Sequence, residues 1–297
     1  MSRFELHVSQ THVLSGCQTP FAKADYVVLG VPFDVTSTFR TGARFAPAAI
    51  REASLNIETY SFRSGHDVET LRIHDAGDLH ISNNVGTLMQ RLEDVVKDLR
   101  DARKIPAIIG GEHTITLGAM RGISGQDAAV ISFDAHLDLR NRYMDLTTSH
   151  TTFMRRLNET VHPAKIVEVG TRAVCKEELA YAKRVGIHCY TSQQILDHGV
   201  DAAAKAVAKT VEGCKKVYLT IDVDVLDPAF APAVQNPEPD GISTQALLAL
   251  LGRLCDRRTV GMDLVEVTPP YDHGNTAVLA AKILFETLCA IDKARGA

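Results

Sequence analysis

Ala129-Val130-Ile131-Ser132-Phe133-Asp134-Ala135-His136-Leu137-Asp138 runs a short, almost wholly apolar segment straight into alternating acids and an imidazole. An unbroken apolar run of this length suits a strand buried on both faces, as in a parallel sheet covered by helices. Similar runs occupy residues 26–31, 71–75, 106–109, 166–169, 187–190, 217–221 and 260–265. Between them lie amphipathic segments. Val85, Leu88, Met89, Leu92, Val95, Val96 and Leu99 fall at spacings of three and four and build one helical stripe. Strand and helix in alternation predict an α/β fold with a mostly parallel sheet.

No composition break, repeat or low-complexity tract divides the chain, so residues 1–297 are expected to form a single domain. The Pro-rich stretch 228–239 is flanked by the same strand and helix pattern on both sides, and it reads as a long functional loop rather than a linker. The helix expected at 275–293 is apolar enough to pack on the sheet.

A formal charge of −4 gives no polyanion-binding surface, so nucleic acid is not an expected partner. Cysteines 17, 175, 189, 214, 255 and 289 have neither zinc-finger nor Cys-x-x-Cys spacing and read as reduced thiols. No leader pattern and no membrane-length apolar run is present, so the expected location is the cytoplasm.

The chemistry gathers where the strands end. Asp134, His136 and Asp138 follow one run; Asp222 and Asp224 in Thr220-Ile221-Asp222-Val223-Asp224 follow another. On an extended chain alternate residues face the same way, so each group is expected to converge on one site. His113, in Gly110-Gly111-Glu112-His113, ends a third run. In open parallel sheets, ligands collect beyond the carboxyl ends of the strands. Four carboxylates and two imidazoles in one place repel unless cations lie among them. Two divalent ions sharing a water use this donor set fully. Oxygen-rich coordination favours manganese, with zinc and cobalt also compatible.

Together with Ser149-His150, with residues 30–34 and 42–51, and with Gly261-Met262-Asp263-Leu264-Val265-Glu266-Val267, these segments resemble in order and spacing the signatures of the arginase/agmatinase ureohydrolases. Asp138-Leu139-Arg140 and residues 149–156 look most like the archaeal agmatinases. The resemblance implies a three-layer α/β/α sandwich around an eight-stranded, mostly parallel sheet. It also implies two Mn2+ per subunit, one held by His113, Asp134, Asp138 and Asp222 and the other by Asp134, His136, Asp222 and Asp224. Asp138 would orient the metal-bridging hydroxide, Glu266 would pair with the substrate guanidinium, and His150 would pass a proton to the departing amine. The implied reaction is hydrolysis of agmatine or aminopropylagmatine to urea and an amine, a step in polyamine biosynthesis, by a homotrimer or homohexamer.

Alternatives within the family are guanidinobutyrase, arginase and formimidoylglutamase. A polyamine deacetylase shares the fold type but uses one zinc. Four positions depart from the agmatinase pattern: Thr151, and Ala233, Gln235 and Asp240 where glycines are usual. They bear on the substrate tail, for which Gln235, Asn236, Glu238 and Asp240 are the expected contacts of an ammonium.

Overall fold

The computed structural model describes residues 6–9, 12–16 and 18–296; Cys17 lies outside them. Its centre is a nine-stranded sheet. The strands are β1 (Val8–Ser9), β2 (Tyr26–Val31), β3 (Ile73–Leu79), β4 (Ile105–Gly110), β5 (Ala128–Phe133), β6 (Lys165–Thr171), β7 (His188–Thr191), β8 (Lys216–Asp222) and β9 (Thr259–Val265). Their spatial order is β1-β3-β2-β4-β9-β8-β5-β6-β7. Strands β2 to β9 pair in parallel, and β1 alone pairs antiparallel, on β3. All eight expected strands are present within a few residues of their expected ends. The ninth, β1, corrects the expected count of eight. It is two residues long and carries no apolar run to announce it.

Alternate residues of the strands feed two cores. Val27, Leu29 and Val31 pack with helices α2 (Val85–Asp101), α3 (Ile115–Ile123) and α4 (Phe153–Thr160) on one face. Tyr26 and Val28 pack on the other face with α1 (Ala46–Ser54) and with the helices at Thr244–Leu254 and Asn275–Gly296. The result is a helix, sheet, helix sandwich. Helix α2 buries Leu88, Met89, Leu92, Val95, Val96 and Leu99 of the stripe read from the sequence, with Val85 partly buried at its start, and Asn84 caps it by accepting from Thr87 N at 2.9 Å. Each such side chain contributes about 1.5–3 kcal/mol of burial, which is why the stripe decides where the helix lies.

One acid and two arginines of the motif segments, Asp34, Arg44 and Arg51, turn out to brace the scaffold. Arg51 of α1 is fully buried and grips β3 through Asp75 at 2.8 and 2.9 Å and Asp78 at 2.6 Å. Asp34 accepts from Gly42 N and from the Arg44 side chain, closing the loop that follows β2. Gly111 lies where a Cβ would stand 1.8 Å from Phe33 O, so the turn after β4 is pressed against that loop. Close approach, rather than a left-handed backbone, is the reason for this glycine. Among the described residues no helix is long and apolar enough to cross a membrane.

Candidate metal centre

Strands β4, β9, β8 and β5 are consecutive neighbours in the middle of the sheet, and each delivers an expected site side chain at its carboxyl end. Their strand residues are almost all buried, so the site is carried by the stiffest part of the molecule. His113 follows β4, Glu266 follows β9, Asp222 closes β8 and Asp134 follows β5.

The convergence of Asp134 with His136, and of Asp222 with Asp224, has a different cause from simple alternation. Beyond each strand the chain turns: Asp134 Oδ1 accepts from His136 N at 2.6 Å, and Asp222 Oδ1 accepts from Asp224 N at 2.8 Å. One oxygen of each bridging candidate is thus tied to the backbone two residues on. Asp224 Oδ1 is likewise held by Ala135 N at 3.1 Å, which joins the two turns. The remaining oxygens face the imidazoles. His113 Nδ1 is 3.1 Å from Asp134 Oδ2, 3.3 Å from Asp222 Oδ2 and 3.5 Å from Asp138 Oδ2. His136 Nδ1 is 3.1 Å from Asp224 Oδ2 and 3.5 Å from Asp134 Oδ1.

Two trios satisfy the geometry of a cation site: His113, Asp134 and Asp222, and Asp134, His136 and Asp224, with the donor atoms of each within 4.8 Å of one another. They share Asp134. Asp138 adjoins the first. Hydrogen bonding shows that the donors fit metal. His113 Nδ1 is buried without a hydrogen-bond partner, although carboxylates surround it. Its other nitrogen is engaged: Nε2 donates to Thr220 Oγ1 at 2.7 Å, and Thr220 in turn donates to Asp263 Oδ1 at 2.5 Å. Asp263 Oδ2 also accepts from Thr116 and Tyr218, each at 2.9 Å. This chain places a proton on Nε2 and leaves Nδ1, the atom that faces the acids, to take up a proton or a cation, the arrangement a metal-ligating histidine needs.

Electrostatics point the same way. Burial, then the neighbouring charge of Asp134, pushes the Asp138 carboxyl up to about 7. Burial with the charges of Asp224 and Asp134 holds Asp222 well above the carboxylate range. Burial opposes charge on His113 as well, but its contacts with Asp134, Asp138 and Asp222 outweigh it and raise the imidazole well above its ordinary value. Two like charges 4 Å apart cost roughly 4 kcal/mol at the effective dielectric of a protein surface, and more inside. Divalent cations remove that cost.

The centre forms the floor of a cleft of about 360 Å3, lined among others by Thr38, Phe39, Arg140, Tyr143, Thr151, Asn236 and Glu238, with His150 and Glu266 at its inner end. Glu266 is buried; Oε1 accepts from His113 N at 2.6 Å, while Oε2 has no partner. Burial keeps this carboxyl well above its usual range. Both Asp138 (φ 52°) and Glu266 (φ 70°) adopt the left-handed backbone that non-glycine residues avoid, a cost tolerated where a side chain must be aimed. His150 Nε2 is 3.0 Å from Thr38 Oγ1, and His150 Nδ1 is 3.8 Å from Glu266 Oε1. Burial, then the charges of His136 and His113, lowers the His150 imidazole to about 3.

All eight expected site residues therefore meet in one place. The expected tail contacts do not all do so. Asn236, Glu238 and Thr151 line the cleft, whereas Asp240 is exposed outside it and Gln235 is fully buried behind His150. Thr220 and Asp263 went unassigned in the sequence, although Thr220 lies two residues before Asp222 on the same strand face and Asp263 is its cross-strand partner.

A family description reading "Arginase family" matches residues 24–290. The agmatinase of Bacillus anthracis is 36% identical over 274 residues, 90% of this chain and 92% of that protein. The N(1)-aminopropylagmatine ureohydrolase of Thermococcus kodakarensis is 34% identical over 275 residues, 91% of this chain and 92% of that protein. Among solved structures, the agmatine ureohydrolase of Thermoplasma volcanium superposes with a TM-score of 0.89 at 35% identity, covering 96% of each chain. Sequence likeness at this level along nearly the full length, with a closely superposing fold, makes the chain a member of the arginase family.

Proposed function

We propose that this protein is a binuclear manganese ureohydrolase that hydrolyses the guanidinium group of agmatine, or of its aminopropyl-extended relative, to urea and an amine. The observation that carries the reading is the pairing, in one cleft, of two imidazole and carboxylate trios with a buried Glu266 oxygen that lacks any donor. Two bound cations supply a water acidified enough to act as a nucleophile near neutral pH. His113, Asp134, Asp138 and Asp222 would hold one, and Asp134, His136, Asp222 and Asp224 the other; the oxygen-rich set suits Mn2+.

The chain's own residues do the rest. Glu266 Oε2 accepts a guanidinium N–H and sets the planar carbon over the centre, a charged contact that positions and orients at once. Asp138 accepts a hydrogen bond from the attacking water and orients it. His150, at the inner wall, would take up the proton that the water gives up and pass it to the departing amine. Asn236 and Glu238 at the cleft wall offer acceptors to an ammonium tail. Glu178 also lines the cleft, but its oxygens are taken by Leu139 N at 3.1 Å and Cys175 N at 3.0 Å, so it anchors the wall instead.

One observation favours a second reading, a carboxylate-tailed guanidino substrate such as guanidinobutyrate. Arg140 lines the same cleft and is stacked on Tyr143 at 4.9 Å. The proposal includes one catalytic domain over residues 1–297, a cytoplasmic location and a homo-oligomer. Metal analysis with urea release tests it: Asp222→Ala is expected to lose both bound metal and activity, and full turnover by that variant overturns the reading.

A further inference from the structure

Gln235 belongs to neither trio and does not line the cleft, yet it is fully buried against His150. Its backbone is fixed at both ends, with Gln235 N donating to Glu266 O at 3.1 Å and Gln235 O accepting from Arg40 N at 3.4 Å. Its side chain is fixed as well. Ser37 Oγ donates to Gln235 Oε1 at 2.6 Å, which turns the amide NH2 toward the imidazole, 3.2 Å from His150 Nδ1 and 3.3 Å from Nε2. Because it is almost equidistant from both ring nitrogens, the amide nitrogen lies over the imidazole rather than in its plane, and it packs on the ring face. Thr38 Oγ1 meets the ring at Nε2, 3.0 Å away.

We propose that Gln235 is a positioning residue for the proposed reaction, which packs its amide on the His150 ring and holds the imidazole against Thr38. Successive loop residues complete the clamp. Thr36 Oγ1 accepts from His150 N at 3.2 Å, Ser37 holds the Gln235 amide, and Thr38 holds the ring. Glu112 secures this loop in turn, accepting from the Thr36 hydroxyl and from Thr36 N at 2.7 Å. The ring is thus held on its face by the amide and at its edge by Thr38.

The inference rests on the ureohydrolase reading, and a double-mutant cycle on the manganese-loaded protein tests it. Gln235→Gly and the isosteric Gln235→Glu are both expected to lower kcat for urea release roughly 10- to 100-fold, part of what a well-placed proton-transfer group supplies. KM should stay within about twofold, because Gln235 does not touch the substrate. In a His150→Ala background neither change should cost anything further, since residues acting as a unit are not additive. Wild-type kcat in Gln235→Glu would reduce Gln235 to a space-filler, and losses that multiply with His150→Ala would separate the two residues; either overturns the proposal. Crystal structures give a readout independent of turnover. The ring should sit on Thr38 in the wild type and leave it in Gln235→Gly, and an unmoved ring contradicts the proposal even if no guanidino compound proves to be a substrate.

Discussion

Glu266 occupies a left-handed backbone position, is buried, and spends one oxygen on His113 N. If the other oxygen binds the guanidinium in both ground and transition states, Glu266→Gln raises KM and lowers kcat together. Steady-state kinetics on that variant measure this, and unchanged constants would mean that the guanidinium is held elsewhere. Behind the centre, Thr220 and Asp263 fix the His113 tautomer. Thr220→Val should weaken metal affinity roughly 10- to 100-fold, as loss of an outer partner typically does, and titration followed by metal analysis reads the change. The acids of the candidate centre were legible in the sequence because they lie at or just past the ends of apolar runs. The Asp263 relay was not, because a carboxylate inside a strand gains its meaning only from the register that sets it against Thr220. Gln235 was legible as a departure and misread as a tail contact, since nothing in a linear sequence brings Ser37 to its carbonyl.

At the level of elements, most of the eight main strands were readable from continuous apolar runs, and α2 from its spacing. Strand β1 was not readable, because two residues pairing at an edge leave no periodic trace. The turns after β5 and β8 were read as extended chain, yet they bring together the residues that alternation had selected. The parity argument survives there because a carboxylate accepting from the N–H two residues on replaces the pleat. Two structural predictions belong at this scale. Arg51→Ala strands Asp75 and Asp78 without their buried partner and should cost about 3–5 kcal/mol in denaturant unfolding. Gly111→Ala drives a methyl group into the Phe33 backbone and should cost about 3 kcal/mol or more, with a loss of metal binding as His113 shifts. Wild-type unfolding midpoints in either variant would show that the motif segments serve something other than the scaffold.

Across the whole molecule, four adjacent strands converge on one candidate metal centre, so metal and fold should be linked. A cation that binds the folded chain alone adds stability that grows with its concentration, about 2.7 kcal/mol at a hundredfold excess over Kd. Chelation should therefore lower the melting temperature by roughly 5 °C or more, and the shift should vanish in Asp222→Ala, as calorimetry with and without chelator would record. The most direct test of the account is urea release by the manganese-loaded protein from agmatine, aminopropylagmatine, arginine and guanidinobutyrate, with bound metal measured on the same sample. Two manganese ions per chain, with kcat/KM highest for an amine-tailed compound, is the predicted result. A preference for a carboxylate-bearing compound would assign the tail to Arg140, and no urea from any of the four by protein carrying both ions would contradict the ureohydrolase account itself.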